Sequence, residues 1–252
     1  MQKHEPWQED RIDVRTLYHN HLAYALDLLH QALGGANAGP ASAEALHAER
    51  CAMSAIIHGF SSLEAALNFM RCRMFTVSDG PEFIPVADRD YLAQRMVERW
   101  DKLAVTEKCN TILSVLRAPL LPNELHSRLS EVNTLRNWLV HGVCYHSRLL
   151  VAPSSEEGVP YEVIYEEPGE SWKNWDKKFP LCRFNQPLAI NLLDAQTALR
   201  VVLQVLLSLS KSTGFNWFYT TCKPHLAACG LFGDLECNLD VMLGMKKTEP
   251  SP

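Results

Sequence analysis

The sequence predicts a mainly all-α protein: a four- or five-helix bundle with a small β-hairpin excursion and a helical C-terminal extension. Three observations carry that expectation. Apolar residues recur at steps of three and four through most of the chain, which is the helical period. Glycine and proline clusters, at Gly34 to Ala41 and at Pro119 to Pro122, cut that period into helix-length pieces. Between Val143 and Glu167 the pattern becomes aromatic, β-branched and alternating instead.

Taken in order, the first helix runs from Gln8 to Leu33 on Val14, Tyr18, Leu22, Ala25, Leu29 and Leu33, and Gly34-Gly35 stops it. His19 and His21 lie about 200° apart on that helix, so they cannot chelate one ion and are expected at the surface. Ser42 caps a second helix, 43 to 75, whose stripe of Met53, Ile56, Phe60, Leu63, Leu67, Met70 and Met74 reads as core. Glu64 and Asn68 flank that stripe. After a turn-rich loop, Asp88 opens a helix through Leu92, Met96, Trp100 and Leu103, and Thr106 caps a shorter one ending at Leu116.

Pro119 and Pro122 break the chain before the next helix. From Asn123 to Val140 the residues Leu125, Leu129, Val132, Leu135 and Leu139 form one apolar stripe, with Asn123 as N-cap and Gly142 as C′ residue. Val143 to Val151 and Tyr161 to Glu167 then read as a hairpin, with Trp172 and Trp175 clamping a polar loop to the bundle. Pro187 begins a helix whose stretch from Leu192 to Leu209 is apolar nearly all round, and Gly214 ends it. Short helices to Leu243 and a frayed tail complete the chain. The expected division is a bundle core over 1–145, the excursion over 146–187, and C-terminal helices over 188–252 packed on the same domain.

Composition excludes several classes. In 252 residues, 47% hydrophobic and 21% charged content fits an ordinary globular chain. A net charge of −5 gives no general attraction for nucleic acid, so any RNA contact needs a local basic patch. The polar start MQKHEPWQED is no signal peptide, and eight scattered cysteines read as reduced thiols in a cytoplasmic protein. Arg200 and Gln204 interrupt the longest apolar run, so no membrane span is expected.

No phosphate-cradling glycine loop, G-x-S-x-G or H-E-x-x-H occurs. Cys222-x2-His225-x3-Cys229, with Cys237 beyond, lacks a standard zinc spacing and reads as structural. Cys144, near His141 and His146, has no third group to orient it as a nucleophile. No metal and no cofactor are expected.

The end of the fifth helix is different. Arg136 falls about 20° from Leu125, within the stripe that should be buried, where a guanidinium needs a partner or a cleft. Asn137 and His141 are i and i+4, so the amide can orient the imidazole. Arginine, amide and imidazole within six residues are tools for phosphate chemistry.

Arg136-Asn137-x-x-x-His141 resembles the R-x4-6-H signature of the HEPN superfamily, over a stretch from about Arg11 to Tyr145. That resemblance implies a dimeric helical bundle and a metal-independent endoribonuclease of a toxin–antitoxin or antiphage system. His141 would be the general base or acid, Arg136 would bind the scissile phosphate, Asn137 would position either, and Glu64 from the second helix would hold Arg136. Where some such toxins carry a tyrosine for modification, this chain has Val143. The alternative reading is a non-catalytic helical module that binds a partner protein, such as an antitoxin, or a nucleotide.

Assembly follows from the same helix. Arg136 and His141 sit about 140° apart on an ideal helix, so one subunit converges poorly on one phosphate. A two-fold homodimer would bring two helix ends together, with Trp138 and the surplus apolar surface of Leu192 to Leu209 as candidate interfaces.

Overall fold

The computed structural model describes residues 7–35, 42–78, 82–141, 147–153, 161–168, 174–186, 189–231 and 233–246. Helices dominate: α1 (Trp7–Gly35), α2 (Ala43–Arg71), α3 (Tyr91–Glu98), α4 (Val105–Val115), α5 (Asn123–His141), α6 (Trp175–Lys178), α7 (Leu192–Thr213), α8 (Trp217–Ala228) and α9 (Leu235–Met242). Between α5 and α6, β1 (Ser147–Pro153) pairs antiparallel with β2 (Tyr161–Pro168), and the register shifts between Leu150 and Val151.

The two long helices α2 and α7 form the middle of the bundle. α2 packs on α1, α4, α5 and α7, and α7 reaches α1, α2, α4, α5 and α9. Their buried residues belong to one hydrophobic core that includes side chains from α1 to α9. The C-terminal helices α7, α8 and α9 all contribute side chains to this core. Among the described residues α7 alone is long and apolar enough to cross a membrane, and 67% of that stretch is buried inside the bundle.

Local chemistry sets the element ends. Ser42 Oγ accepts the Ala45 N–H at 3.1 Å and starts α2. At its other end the α-helix stops at Arg71 and continues as a π-turn over Cys72–Thr76. The single helix expected from Asp88 is instead broken, because Asp90 is the cap: its carboxylate accepts the Ala93 N–H at 2.7 Å. Arg99 then leaves the helix, and Trp100 sits in a short 3-10 turn, Trp100–Lys102. Nor does Thr106 cap α4. Ala104 holds that position, its N–H donating to Glu107 Oε2 at 2.7 Å. α7 begins at Leu192: Asp194 Oδ2 accepts the Asn191 N–H and Asn191 Oδ1 accepts the Leu193 N–H, both at 2.9 Å. Gly214, with φ +73°, ends it in the left-handed region.

Close approach of α2 and α7 depends on Gly59. A Cβ added there would overlap Leu199 Cδ2, so the fully buried Leu199 side chain would have to shift. Gly59→Ala is expected to destabilise by about 1–3 kcal/mol, the range for overpacking, despite alanine's better helix propensity. Denaturant unfolding measures it, and a neutral or stabilising outcome would show that the two helices can separate freely.

The α1 histidines are half-buried, and each bonds to a different neighbouring helix. His19 Nδ1 lies 2.7 Å from Thr221 Oγ1 on α8, and His21 Nδ1 lies 3.1 Å from His58 Nδ1 on α2. An Nδ1–H···Nδ1 bond needs one donor and one bare nitrogen, so protonating both imidazoles removes it. Burial, and then the charge of His21, hold His58 below the ordinary histidine value. Burial and His30 do the same to His225, against the opposing effect of Asp27.

Below about pH 6.5 the unfolded chain therefore binds more protons at these two sites than the folded chain does. Their contribution to stability is complete above that pH and is lost as pH falls beneath it. Tm is expected to drop between about pH 7 and about pH 5, with a smaller drop in His58→Gln. Equal slopes in parent and variant would refute this origin.

Candidate active site

α5 is anchored before it presents anything. Leu129, Val132 and Leu135 are fully buried, and Leu125 and Leu139 pack partly on the same core. Glu131 is also buried. Its carboxylate accepts the Leu181 N–H at 3.2 Å and the Cys182 N–H at 2.8 Å, fixing the turn after α6 onto α5. Sequence reasoning missed this residue; its signal was a carboxylate four positions before Leu135, against the apolar stripe.

Arg136 meets α2. Its Nη2 donates to Glu64 Oε2 at 3.1 Å, and its Nη1 donates to Asn137 Oδ1 at 3.0 Å. The guanidinium carbon lies 5.6 Å from the Phe60 ring centroid, so one side of the cation rests on an aromatic ring. With side chains only 21% and 32% exposed, Arg136 and Glu64 form a partly desolvated pair. The pairing expected between them is present. Arg136 Nε is buried without a hydrogen-bond partner. Of five guanidinium donors, one serves Glu64, one serves Asn137 and Nε is enclosed, so two have no hydrogen-bond partner among the described residues.

Asn137 takes a different partner from the expected one. Its oxygen accepts from Arg136, a charge-assisted bond stronger than an amide–imidazole contact, and no hydrogen bond joins it to His141. His141 ends α5, is exposed, and has no hydrogen-bond partner among the described residues. The structure thus gathers Glu64, Arg136 and Asn137 into one cluster and leaves His141 outside it. Gly142, Cys144, His146 and Trp172 lie outside the described residues.

Both surfaces considered for dimerisation make contacts within the chain. The Trp138 ring packs edge-on against Trp175 of α6, with centroids 5.4 Å apart, and Lys178 Nζ lies 4.7 Å from the Trp138 ring centroid. Most apolar residues of α7 are buried inside the bundle, while Leu193 is 60% exposed. What α5 does expose at its end is Val140, 45% accessible, beside His141.

Other chemistry lies elsewhere. Burial pushes the Cys109 and Cys222 thiols up to about 12, and burial together with Glu131 does so for Cys182, so these sulfurs stay protonated at neutral pH. Among the described residues no three His, Cys, Asp or Glu side chains converge as metal ligands. A groove of about 480 Å³ opens between α5, α7 and α9, near the opposite end of α5 from His141. Its cations are engaged: Arg128 with Glu124 at 2.6 Å, Arg200 with Asp240 at 2.9 Å, and Lys211 with Glu236 at 2.7 Å. No protein-family model matches this sequence, no curated protein is similar to it, and no solved structure matches its fold.

Proposed function

We propose that the chain is a metal-independent endoribonuclease acting as a homodimer. The observation that carries this reading is the cluster at α5: a guanidinium held by Glu64 and Asn137 over Phe60, with an exposed imidazole at the end of the same helix. An oriented cation stabilises charge developing on a phosphate, and an exposed imidazole is accessible to a substrate as a proton donor or acceptor. In the reaction the ribose 2′-oxygen attacks the adjacent phosphorus and the bond to the 5′-oxygen breaks. An imidazole accepts the 2′ proton and another donates a proton to the departing oxygen. The products are a 2′,3′-cyclic phosphate and a 5′-hydroxyl.

Two imidazoles require two chains, since each carries one His141. The divergence of Arg136 and His141 on α5 adds weight to a two-fold pairing of α5 ends, with Val140 at the contact. Light scattering is expected to give a dimer at micromolar concentration; a monomer that keeps cleavage activity would refute the assembly.

One observation favours the second reading, a non-catalytic helical module. Arg136 is engaged within its own chain, and the amide expected to orient His141 is turned away from it. Expression of the chain alone separates the two. A ribonuclease toxin arrests growth, and Arg136→Gln relieves the arrest. A harmless parent that co-purifies with a stable partner supports the module.

A further inference from the structure

Where α1 ends and α2 begins, three donor atoms come together from residues outside the α5 cluster. His47 and Cys51 are i and i+4 on α2, so they share one face, and Gln31 reaches that face from α1. Cys51 Sγ lies 3.5 Å from His47 Nε2 and 3.7 Å from Gln31 Oε1. A tetrahedral zinc with ligands at about 2.0–2.3 Å sets a sulfur about 3.6 Å from a nitrogen or oxygen donor beside it. Both separations fall within about 0.2 Å of that edge, the latitude allowed to metal–ligand distances. Hydrogen bonding explains the same two contacts only if the thiol donates to Gln31 and the imidazole N–H donates to sulfur. The frame is close-packed: a Cβ on Gly35 would meet Ala48 Cβ at 2.9 Å, so the end of α1 lies against the first turns of α2.

We propose that Gln31, His47 and Cys51 bind a thiophilic divalent ion of the zinc class, with water in the fourth position, and so tie the end of α1 to the start of α2. Thiolate and imidazole favour such an ion over magnesium or calcium. Gln31 and His47 are exposed while Cys51 is 3% exposed, so the ion enters from solvent and meets sulfur at the floor of the site. On binding, the thiol releases its proton to solvent, a sulfur–metal bond forms, and the neutral imidazole coordinates through Nε2. Burial raises the Cys51 thiol, so the ion competes with a firmly held proton. With an amide oxygen as third ligand, the site is weaker than a full set of cysteines and histidines. It goes beyond the ribonuclease reading and shares no residue with it.

Cobalt(II) is the probe, because it occupies zinc sites and reports thiolate ligation by a near-ultraviolet charge-transfer band. Titrated into the full chain, kept reduced by a phosphine, it is expected to give that band, and zinc should abolish it. Cys51→Ala should lose the band. His47→Gln, a change at an exposed residue, should weaken both ions at least about tenfold, since even an outer-shell change costs that much. Cys237→Ser, at an exposed thiol on α9, should keep the parent's affinity. Zinc should raise the Tm of the parent and not that of His47→Gln. No band in the parent, a band that survives Cys51→Ala, or unchanged affinity in His47→Gln would overturn the site and leave a hydrogen-bonded thiol. The ribonuclease reading stands or falls separately, on RNA cleavage in EDTA, which strips this site and spares the α5 cluster.

Discussion

On the proposed ribonuclease reading, His141→Ala is expected to lower RNA cleavage by about 10²- to 10⁴-fold, the contribution of a positioned general acid or base, while the fold stays intact. The second half of that expectation comes from the side chain's place. His141 is the last residue of α5, exposed, and outside the core whose buried members on this helix end at Leu135. Its removal leaves no cavity and strands no buried polar group, so an unchanged Tm should accompany the lost activity. Arg136→Gln is the contrasting variant. It deprives Glu64 of its partner and uncovers one side of Phe60, so it should cost both activity and some stability. An active His141→Ala protein would remove the imidazole from the chemistry altogether.

Trp100→Ala destabilises by about 3–5 kcal/mol, the range for deleting a large aromatic side chain from a core. The indole is 1% exposed, among the largest fully buried side chains, and its Nε1 donates to Asn68 Oδ1 on α2 at 2.8 Å. Asn68 is exposed, so water can replace the lost donor; the cost comes from the cavity and the lost burial. Against a total stability of about 5–15 kcal/mol, one substitution removes a large share. For a chain of this size the loss lowers Tm by about 6–20 °C. Calorimetry that finds Trp100→Ala as stable as the parent would mean that the α3–α4 connection does not seal the bundle.

How much of this was legible in the sequence varies by element. α5 could be read almost residue by residue, since proline precedes it and one stripe sets its buried face. α2 was equally plain up to Arg71; nothing in Cys72–Thr76 signals a π-turn, because helical period and π-turn share the same apolar residues. The α3 region misled because Asp88 and Asp90 are equivalent caps by composition, and only the backbone chooses between them. The all-round apolar character of α7 announced burial on several sides. It could not say that neighbours within the same chain supply most of that burial.

At the site, the Glu64–Arg136 pair was legible from the need of a desolvated guanidinium for a carboxylate. The orientation of Asn137 was not, because i, i+4 spacing permits its contact with His141 while the adjacent Arg136 competes for the same oxygen and wins by charge. Glu131 was passed over because it acts through an element distant in sequence, the turn at Leu181 and Cys182, and short-range spacing carries no trace of such a pairing.

Analysis of RNA ends after incubation with purified protein in EDTA tests the central claim most directly. The account predicts cleavage without divalent metal, giving 2′,3′-cyclic phosphate and 5′-hydroxyl ends that disappear in His141→Ala. Intact RNA, or fragments with 3′-hydroxyl and 5′-phosphate ends, would contradict it.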